Sequence, residues 1–355
     1  EIEEILTRLG LEVLEKEQGA WLFGVPSYRF DIAIEPDLIE EIGRVYGYNK
    51  LPKTTAMGSM TLSPVDESVF SQDYLADRLV SLGYQEAITY SFVEAKLQHE
   101  INPNEQAIAL ANPLSADLGV MRTSLWPGLL SALRYNQNRQ QPRVKFFETG
   151  LKFVKEAEEI VQTRMISGVV SGSVHTEGWN NDSRKIDFFD VKADLESLLL
   201  PIDSKILFEK STHSALHPGQ CAKIVKQGEI IGYFGAIHPK LQKSLDLNGP
   251  VYLFELCLNE TVQGQVASFS EVSKYPEVRR DLAILINKSV PYQEVEHVVK
   301  EFAGEDLVNL NVFDVYSGNN LEDDERSLGL GLVWQRVDRT LNDEEITQSF
   351  ERIVS

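Results

Sequence analysis

The residues best placed to do chemistry lie in one run, Arg29-Phe30-Asp31-Ile32-Ala33-Ile34-Glu35-Pro36-Asp37-Leu38-Ile39-Glu40-Glu41. If a helix starts at Pro36, then Asp37, Glu40 and Glu41 fall at i, i+3 and i+4 and share one face. Asp31, just before the turn into that helix, converges on the same point. Carboxylates crowded in this way suit a hard cation such as Mg²⁺, which takes oxygen ligands. The plainer alternative is that acidic side chains complement the dipole of a helix N-terminus. Spacing alone favours that alternative.

A second stretch runs from Asn112-Pro113-Leu114-Ser115 through Met121-Arg122-Thr123-Ser124-Leu125-Trp126-Pro127-Gly128-Leu129-Leu130 to Phe146-Phe147-Glu148-Thr149-Gly150. Arg122, Arg134, Arg139, Arg143 and Lys145 make it the most basic part of an acidic chain. Such a stretch serves RNA, phosphate or an acidic partner, or is merely a solvated helix face; the residues leave both readings open. His213, His217 and His238 have no Cys or Asp at ligand spacing to complete a zinc set; His217-Pro218 and His238-Pro239 read as turns at strand ends, and the three histidines as structural. No G-x-S-x-G or Walker lysine motif occurs.

Composition narrows the classes further. The chain has 355 residues, 43% hydrophobic and 25% charged, with a formal net charge of −20. That length predicts two or three globular domains. The charge is a poor background for wrapping nucleic acid, whose phosphates attract Lys and Arg, so any RNA contact has to be local or shared with another chain. Cys221 and Cys257, each among apolar neighbours, read as buried thiols of a reducing compartment. No apolar run reaches the roughly 18–20 residues that span a bilayer. The acidic opening Glu1-Ile2-Glu3-Glu4 reads as the middle of a helix and not as a signal peptide, and predicts a fragment of a longer protein.

Three blocks position these residues. In residues 1–52 a helix stopped by Gly10 precedes two short strands, Leu11–Leu14 and Trp21–Pro26, and a helix over Pro36–Tyr46: a winged-helix-like outline. Residues 53–66, rich in proline and threonine, form a linker. Residues 67–267 mix a helix over Phe70–Leu82 with strands at Ala87–Phe92, Lys145–Phe153, Met165–Ser171, Ala222–Val225, Ile230–Ile237 and Val251–Leu258, and helices at Gly128–Asn136 and Val191–Leu199. From 268 to 355 the order is strand (Arg280–Ile286), helix (Tyr292–Phe302), strand (Leu307–Tyr316), strand (Ser327–Trp334) and helix (Asp343–Ile353, capped by Asn342). An acidic loop, Asn319–Glu325, joins the last two strands. That is the ferredoxin-like βαββα(β) pattern without its last strand, and it predicts that the sequence stops short of that strand. The fold class is therefore multidomain α+β.

Taken together, these motifs resemble one family in its own order. Arg29–Tyr48, with Asp37-Leu38-Ile39-Glu40-Glu41-Ile42 and Arg44-Val45-Tyr46-Gly47-Tyr48, looks like the metal-site module of the bacterial phenylalanine–tRNA ligase beta subunit. Asn112–Gly150 is similar to the start of that subunit's catalytic-like domain, and Leu216-His217-Pro218-Gly219-Gln220 and Gly232–Pro239 resemble its later strands. Tyr275-Pro276-Glu277-Val278-Arg279-Arg280-Asp281-Leu282 and Phe313-Asp314-Val315-Tyr316 resemble its ferredoxin-fold anticodon-binding domain. The resemblance covers essentially the whole chain. The family's OB-fold and editing domains, which lie nearer its N-terminus, have no counterpart here.

The resemblance implies a C-terminal part of a beta subunit in a cytoplasmic α₂β₂ ligase that joins phenylalanine to tRNA(Phe) with ATP. It implies Mg²⁺, shared with the alpha subunit, on Asp31, Asp37, Glu40 and Glu41, and it tips the first of the open readings toward the metal. It implies a class II synthetase-like antiparallel body that docks the catalytic alpha subunit and holds no catalytic residue of its own. Active class II chains grip ATP with two arginines, whereas Leu253-Phe254-Glu255-Leu256-Cys257-Leu258-Asn259-Glu260 has no arginine in the later position and Arg122 would stand alone as a clamp. For the C-terminal domain the expected tRNA contacts are Arg279, Arg280, Tyr316, Arg336 and Arg339. A stand-alone RNA-binding or regulatory protein derived from a class II synthetase is the alternative.

Overall fold

The computed structural model describes residues 1–355 apart from 62, 63, 65, 158 and 319. Three positions of the expected linker and the first residue of the expected acidic loop thus lie outside the described residues. The chain divides into two compact units, Glu1–Val65 and Asp66–Ser355.

In the first unit, α1 (Ile2–Arg8) stops where Gly10 takes a φ of 91°, a conformation that costs glycine little. A hairpin follows, β1 (Glu12–Glu17) and β2 (Ala20–Gly24), turned at Gly19. Then comes α2 (Glu35–Tyr46), with proline in its first turn where no amide donor is needed. Leu6, Leu11 and Ile32 are buried together, with Leu38 and Ile42 of α2 packed on them.

The second unit opens with α3 (Gln72–Ser81), capped by the Ser71 hydroxyl, then the short strands β3 (Gln85–Glu86) and β4 (Phe92–Val93) and helix α4 (Ala95–Ile101). Instead of the single predicted strand over Ala87–Phe92 there are these two, and between them Thr89 donates to Glu148 Oε2 at 2.7 Å. Next come β5 (Val120–Met121), α5 (Trp126–Gln137) and the long pair β6 (Val144–Glu156) and β7 (Glu159–Ser171). The remaining elements are α6 (Phe188–Leu199), β8 (Leu207–Lys210), β9 (Leu216–Lys226), β10 (Glu229–Ile237), α7 (Pro239–Ser244), β11 (Val251–Cys257) and α8 (Leu258–Val262).

Seven strands form one sheet in the order β3-β6-β7-β11-β10-β9-β8, antiparallel except for the β3–β6 pair. Both faces are covered. Phe147, Ile166, Phe234 and Phe254 meet α3 and α6 on one side. Val144, Val169, Leu253 and Ile237 meet α4, α5 and α7 on the other. Period-two alternation sorts the faces, so Glu148 and Glu255 stand in rows turned toward α5. At one end the incoming and outgoing segments of this body are bonded to each other: Phe70 N donates to Val262 O (2.9 Å) and Gly264 N to Ser68 O (2.7 Å). The buried Lys226 ammonium donates to the carbonyls of Glu260 (2.6 Å) and Gln263 beside that junction.

The last part holds β12 (Val278–Asn287), α9 (Tyr292–Ala303), β13 (Leu307–Tyr316), β14 (Glu325–Trp334) and α10 (Asp343–Val354). Its sheet order is β12-β14-β13, all antiparallel, and the two helices pack against each other on one face. Asn342 caps α10 as predicted, accepting from Glu345 N at 2.9 Å. Trp334 is buried and donates to Ser349 Oγ (3.1 Å), which donates to Ala303 O (2.7 Å), so one hydroxyl ties sheet and both helices.

Candidate functional site

Three groups of polar side chains are organised enough to be sites, and burial separates them. The first is the acidic turn ahead of α2. Arg29 lies in a turn (Arg29 N to Pro26 O, 2.9 Å) whose other end is anchored by buried Ile32. Its guanidinium grips Asp31 with two donors, Nε to Oδ1 at 3.0 Å and Nη2 to Oδ2 at 2.8 Å, and reaches Glu41 Oε2 with Nη1 at 3.3 Å. Arg44 grips the same Glu41 through Nε (3.2 Å) and Nη2 (2.9 Å). Asp37 is turned back as a cap, its Oδ2 accepting from Ala33 N (2.8 Å) and Ile34 N (2.9 Å).

Each carboxylate is held below its usual range by these partners: Asp31 by Arg29, Asp37 by the amides of Ala33 and Ile34, and Glu41 by Arg44 and Arg29 against the opposing effect of burial. Glu40 points to solvent and makes no ion pair among the described residues. Among the described residues no three of these acids are gathered into a cation cage. As the chain is folded, the donor set does not fit Mg²⁺, because the oxygens of Asp31 and Glu41 already accept from the guanidiniums of Arg29 and Arg44.

The second group is the stretch Arg122–Trp126, which is bonded to β6, α4 and β11 in turn. Arg122, 3% exposed, donates from Nη1 to Glu148 Oε1 (2.7 Å) and Thr89 Oγ1 (3.2 Å), and from Nε to Leu151 O (2.9 Å). Glu148 is filled in turn by Thr89 Oγ1 at 2.7 Å. A Cβ at Gly150 would collide with the Arg122 guanidinium, and one at Gly128 with Thr89, which is why Phe147-Glu148-Thr149-Gly150 and Trp126-Pro127-Gly128 carry glycine there. Thr123 N donates to Gln98 Oε1 (3.0 Å) on α4; Ser124 Oγ (3.0 Å) and Leu125 N (2.7 Å) donate to Glu255 Oε1 on β11; Trp126 Nε1 donates to Phe254 O (3.0 Å). Burial pushes the Glu255 carboxyl up to about 7, against the lowering effect of the Leu125 amide.

This corrects the reading of the stretch as an exposed basic strip. Arg122 is internal, and Lys145 pairs with Asp194 of α6 at 2.7 Å. Arg143 donates to the carbonyl of Ser173 at 3.2 Å. Arg134 and Arg139 remain exposed, the latter stacked on Tyr135 at 3.3 Å. The histidines act as local acceptors: Nδ1 of His213, His217 and His238 takes the amide of Ala215, Gly219 and Lys240 respectively. His213 also packs between Trp126 and Tyr233. Cys221 is buried, its thiol pushed up to about 11, whereas Cys257 is only half-buried. A groove of about 310 Å³ is lined by Gln72, Thr149, Gly150, Leu151, Arg164 and Leu258.

The third group is the sheet face of the last part that the helices leave open. Register puts Arg279, Val333 and Asn309 in one row, Asp281, Gly331 and Asn311 in the next, then Ala283, Gly329 and Asp314, then Leu285, Ser327 and Tyr316. A register shift between Val312 and Asp314 turns Phe313 onto the same face, where its ring lies over Gly329 and 5.5 Å from the Arg279 guanidinium. Of the five predicted tRNA contacts, Arg279 and Tyr316 share this face. Arg280 belongs to the opposite row and pairs with Asp343 of α10 at 3.3 Å. Arg336 pairs with Asp306 (3.4 Å) and Asp338 (3.2 Å), and Arg339 with Glu345. The structure does not bring the five together.

Comparison with known proteins gives this geometry its class. A tRNA synthetase B5 domain model matches residues 1–48 and a ferredoxin-fold anticodon binding domain model residues 273–355, so the chain is a mixed α+β component of the aminoacyl-tRNA synthetases. Between them, the model of the phenylalanyl tRNA synthetase beta chain CLM domain matches residues 51–258, more than half of the chain. The chain is 50% identical over 353 residues to the phenylalanine–tRNA ligase beta subunit of Hahella chejuensis, covering 99% of this chain and 45% of that protein. It is 48% identical over 358 residues to that of Pseudomonas fluorescens, covering 100% and 45%. The chain belongs to the phenylalanyl tRNA synthetase beta chain family, and it spans about half the length of the curated relatives it matches. Similarity along the whole chain to proteins so named does not favour the stand-alone alternative. Among solved structures, a pyrrolysyl-tRNA synthetase of Desulfitobacterium hafniense aligns with a TM-score of 0.40 and 14% identity, over 54% of this chain and 69% of that one.

Proposed function

We propose that the chain is the non-catalytic C-terminal part of a phenylalanine–tRNA ligase beta subunit. In this reading it docks a catalytic alpha subunit in an α₂β₂ cytoplasmic enzyme and helps to bind tRNA(Phe), while the holoenzyme uses ATP and Mg²⁺ to make phenylalanyl-tRNA. Residues 1–52 form the winged-helix-like module, 53–66 the linker, 67–267 a class II synthetase-like body and 268–355 the anticodon-binding domain.

One observation carries the non-catalytic part. Phosphoryl chemistry needs free cationic donors aimed at the developing charge. Arg122, the arginine available for such a clamp, is sealed inside against Glu148, Thr89 and Leu151. At the later position β11 presents Glu255, a carboxyl already held by Ser124 and Leu125. A rigid, internally satisfied polar core of this kind supports a docking body. On the last part, the open face around Arg279, Phe313 and Tyr316 supports contact with unpaired bases, which stack on aromatic rings and arginine planes. No step is assigned to Mg²⁺ on Asp31, Asp37, Glu40 and Glu41, given the pairing of three of them.

Co-expression with a catalytic alpha subunit, followed by size measurement and phenylalanine-dependent pyrophosphate exchange, tests the reading. The expected result is a stable complex whose exchange activity is absent from this chain alone. Exchange by the isolated chain would overturn the non-catalytic assignment, and failure to form a complex would overturn the docking role.

A further inference from the structure

We infer that Arg29 is the resident cation of the acidic turn, so that its guanidinium and a divalent metal are alternatives at Asp31 and Glu41 and not companions. Both oxygens of Asp31 accept from Arg29. Both oxygens of Glu41 accept from arginine, Oε1 from Arg44 and Oε2 from Arg44 and Arg29. One oxygen of Asp37 takes two backbone amides. Of the four carboxylates only Glu40 is free of such partners among the described residues. Mg²⁺ demands close, near-octahedral oxygens, and here those lone pairs are turned to planar guanidinium donors whose fork matches a carboxylate.

The arrangement is built and not a chance surface contact. The side chains of Arg29 and Glu41 are only 18% and 12% exposed. Arg29 joins the turn before α2 to the end of the second turn of that helix, thirteen residues being fastened through one side chain, with Ile32 buried beneath. The same sequence run that offers carboxylates at cation spacing therefore brings its own counter-charge. A metal that ligates Asp31 and Glu41 has to displace Arg29.

Metal affinity then falls by the fraction of time the fork is open, so a fork closed nine-tenths of the time weakens binding about tenfold. The inference concerns the folded chain alone and stands whether or not the ligase reading holds. It is tested on the full chain with Mn²⁺ as probe, free Mn²⁺ being counted by electron paramagnetic resonance in the unaltered protein and in Arg29→Met. The expected result is binding tightened about tenfold or more in the variant. Equal or weaker binding by Arg29→Met would overturn the inference. Should the variant not fold, the unaltered chain decides: replacing millimolar Mg²⁺ with EDTA should leave its thermal midpoints in place, and a lowered midpoint for the first unit would show a metal already built into the turn.

Discussion

Arg122 and Arg29 each hold a glutamate, yet they belong to different kinds of structure. Arg122 sits between α5 and the sheet with 3% of its side chain exposed, and Glu148 is as deeply enclosed. Arg29 lies near the surface, and Asp31, its bidentate partner, is 53% exposed. Low dielectric makes the inner pair rigid and costly to break, while water screens the outer one and keeps it exchangeable. The same residue type is thus scaffold in one region and a displaceable counter-ion in the other; what decides is access to solvent, not sequence motif.

The largest effect expected from this contrast is at the inner pair. Arg122→Leu leaves the buried Glu148 with Thr89 but without its cation, and should cost about 3–5 kcal/mol of stability in urea unfolding. Arg122→Leu combined with Glu148→Leu should recover most of that loss. An unchanged urea midpoint in the single variant would erase the distinction between the two arginines.

Next is Glu255, which shares the inner environment without a cation. Its carboxyl titrates near 7 when folded against an ordinary 4.5, so the folded state favours the proton. Stability from this group is complete below about pH 4.5 and declines as pH rises through about 7. Glu255→Gln, which keeps the acceptor for Ser124 and Leu125, should therefore gain about 1–3 kcal/mol at pH 8 and little or nothing at pH 4.5. A gain independent of pH would point to packing instead of charge.

On the last part the contrast becomes one of faces. If the open sheet meets tRNA phosphate, Arg279→Ala in the assembled enzyme should lower the slope of log affinity against log salt by about 1. Arg280→Ala, on the helix side, should leave it unchanged. Equal losses would show that strand alternation does not select the RNA surface.

The outer pairs give the smallest effects. Arg339 holds Glu345 down to about 2, so this contribution is present above about pH 4.5 and disappears as pH falls through about 2. Arg339→Gln should therefore lower stability slightly at neutral pH, where water screens this exposed pair, and have no effect below about pH 2. A loss as large at pH 7 as that of Arg122→Leu would place this pair with the inner class.

Much of this fold was legible because the sheets obey simple periods. Val251–Cys257 is covered on both faces and reads as an unbroken apolar strand except for Glu255. The β-α-β-β-α order of the last part follows from alternation and the Asn342 cap. Helix α4 escaped notice because it is one short amphipathic turn or two, recognisable only once Gln98 is seen bonding Thr123. In the acidic turn, carboxylate spacing drew the eye past Arg29 and Arg44 of the same run, which hold Asp31 and Glu41. Arg279 and Arg280 were paired by adjacency, although Val278, Leu282, Ile284 and Ile286 already mark the core row and place the two on opposite sides. The polar core around Arg122 left one signal, polar residues lodged among Met121, Leu125 and Trp126, which basic charge count obscured.

The junction where Phe70 meets Val262 and Gly264 meets Ser68 has a mechanical consequence. Tension applied along the backbone from both sides of the large body would arrive at this clasp and peel its few bonds one at a time. The seven-stranded sheet behind it would bear no shear until the clasp had opened.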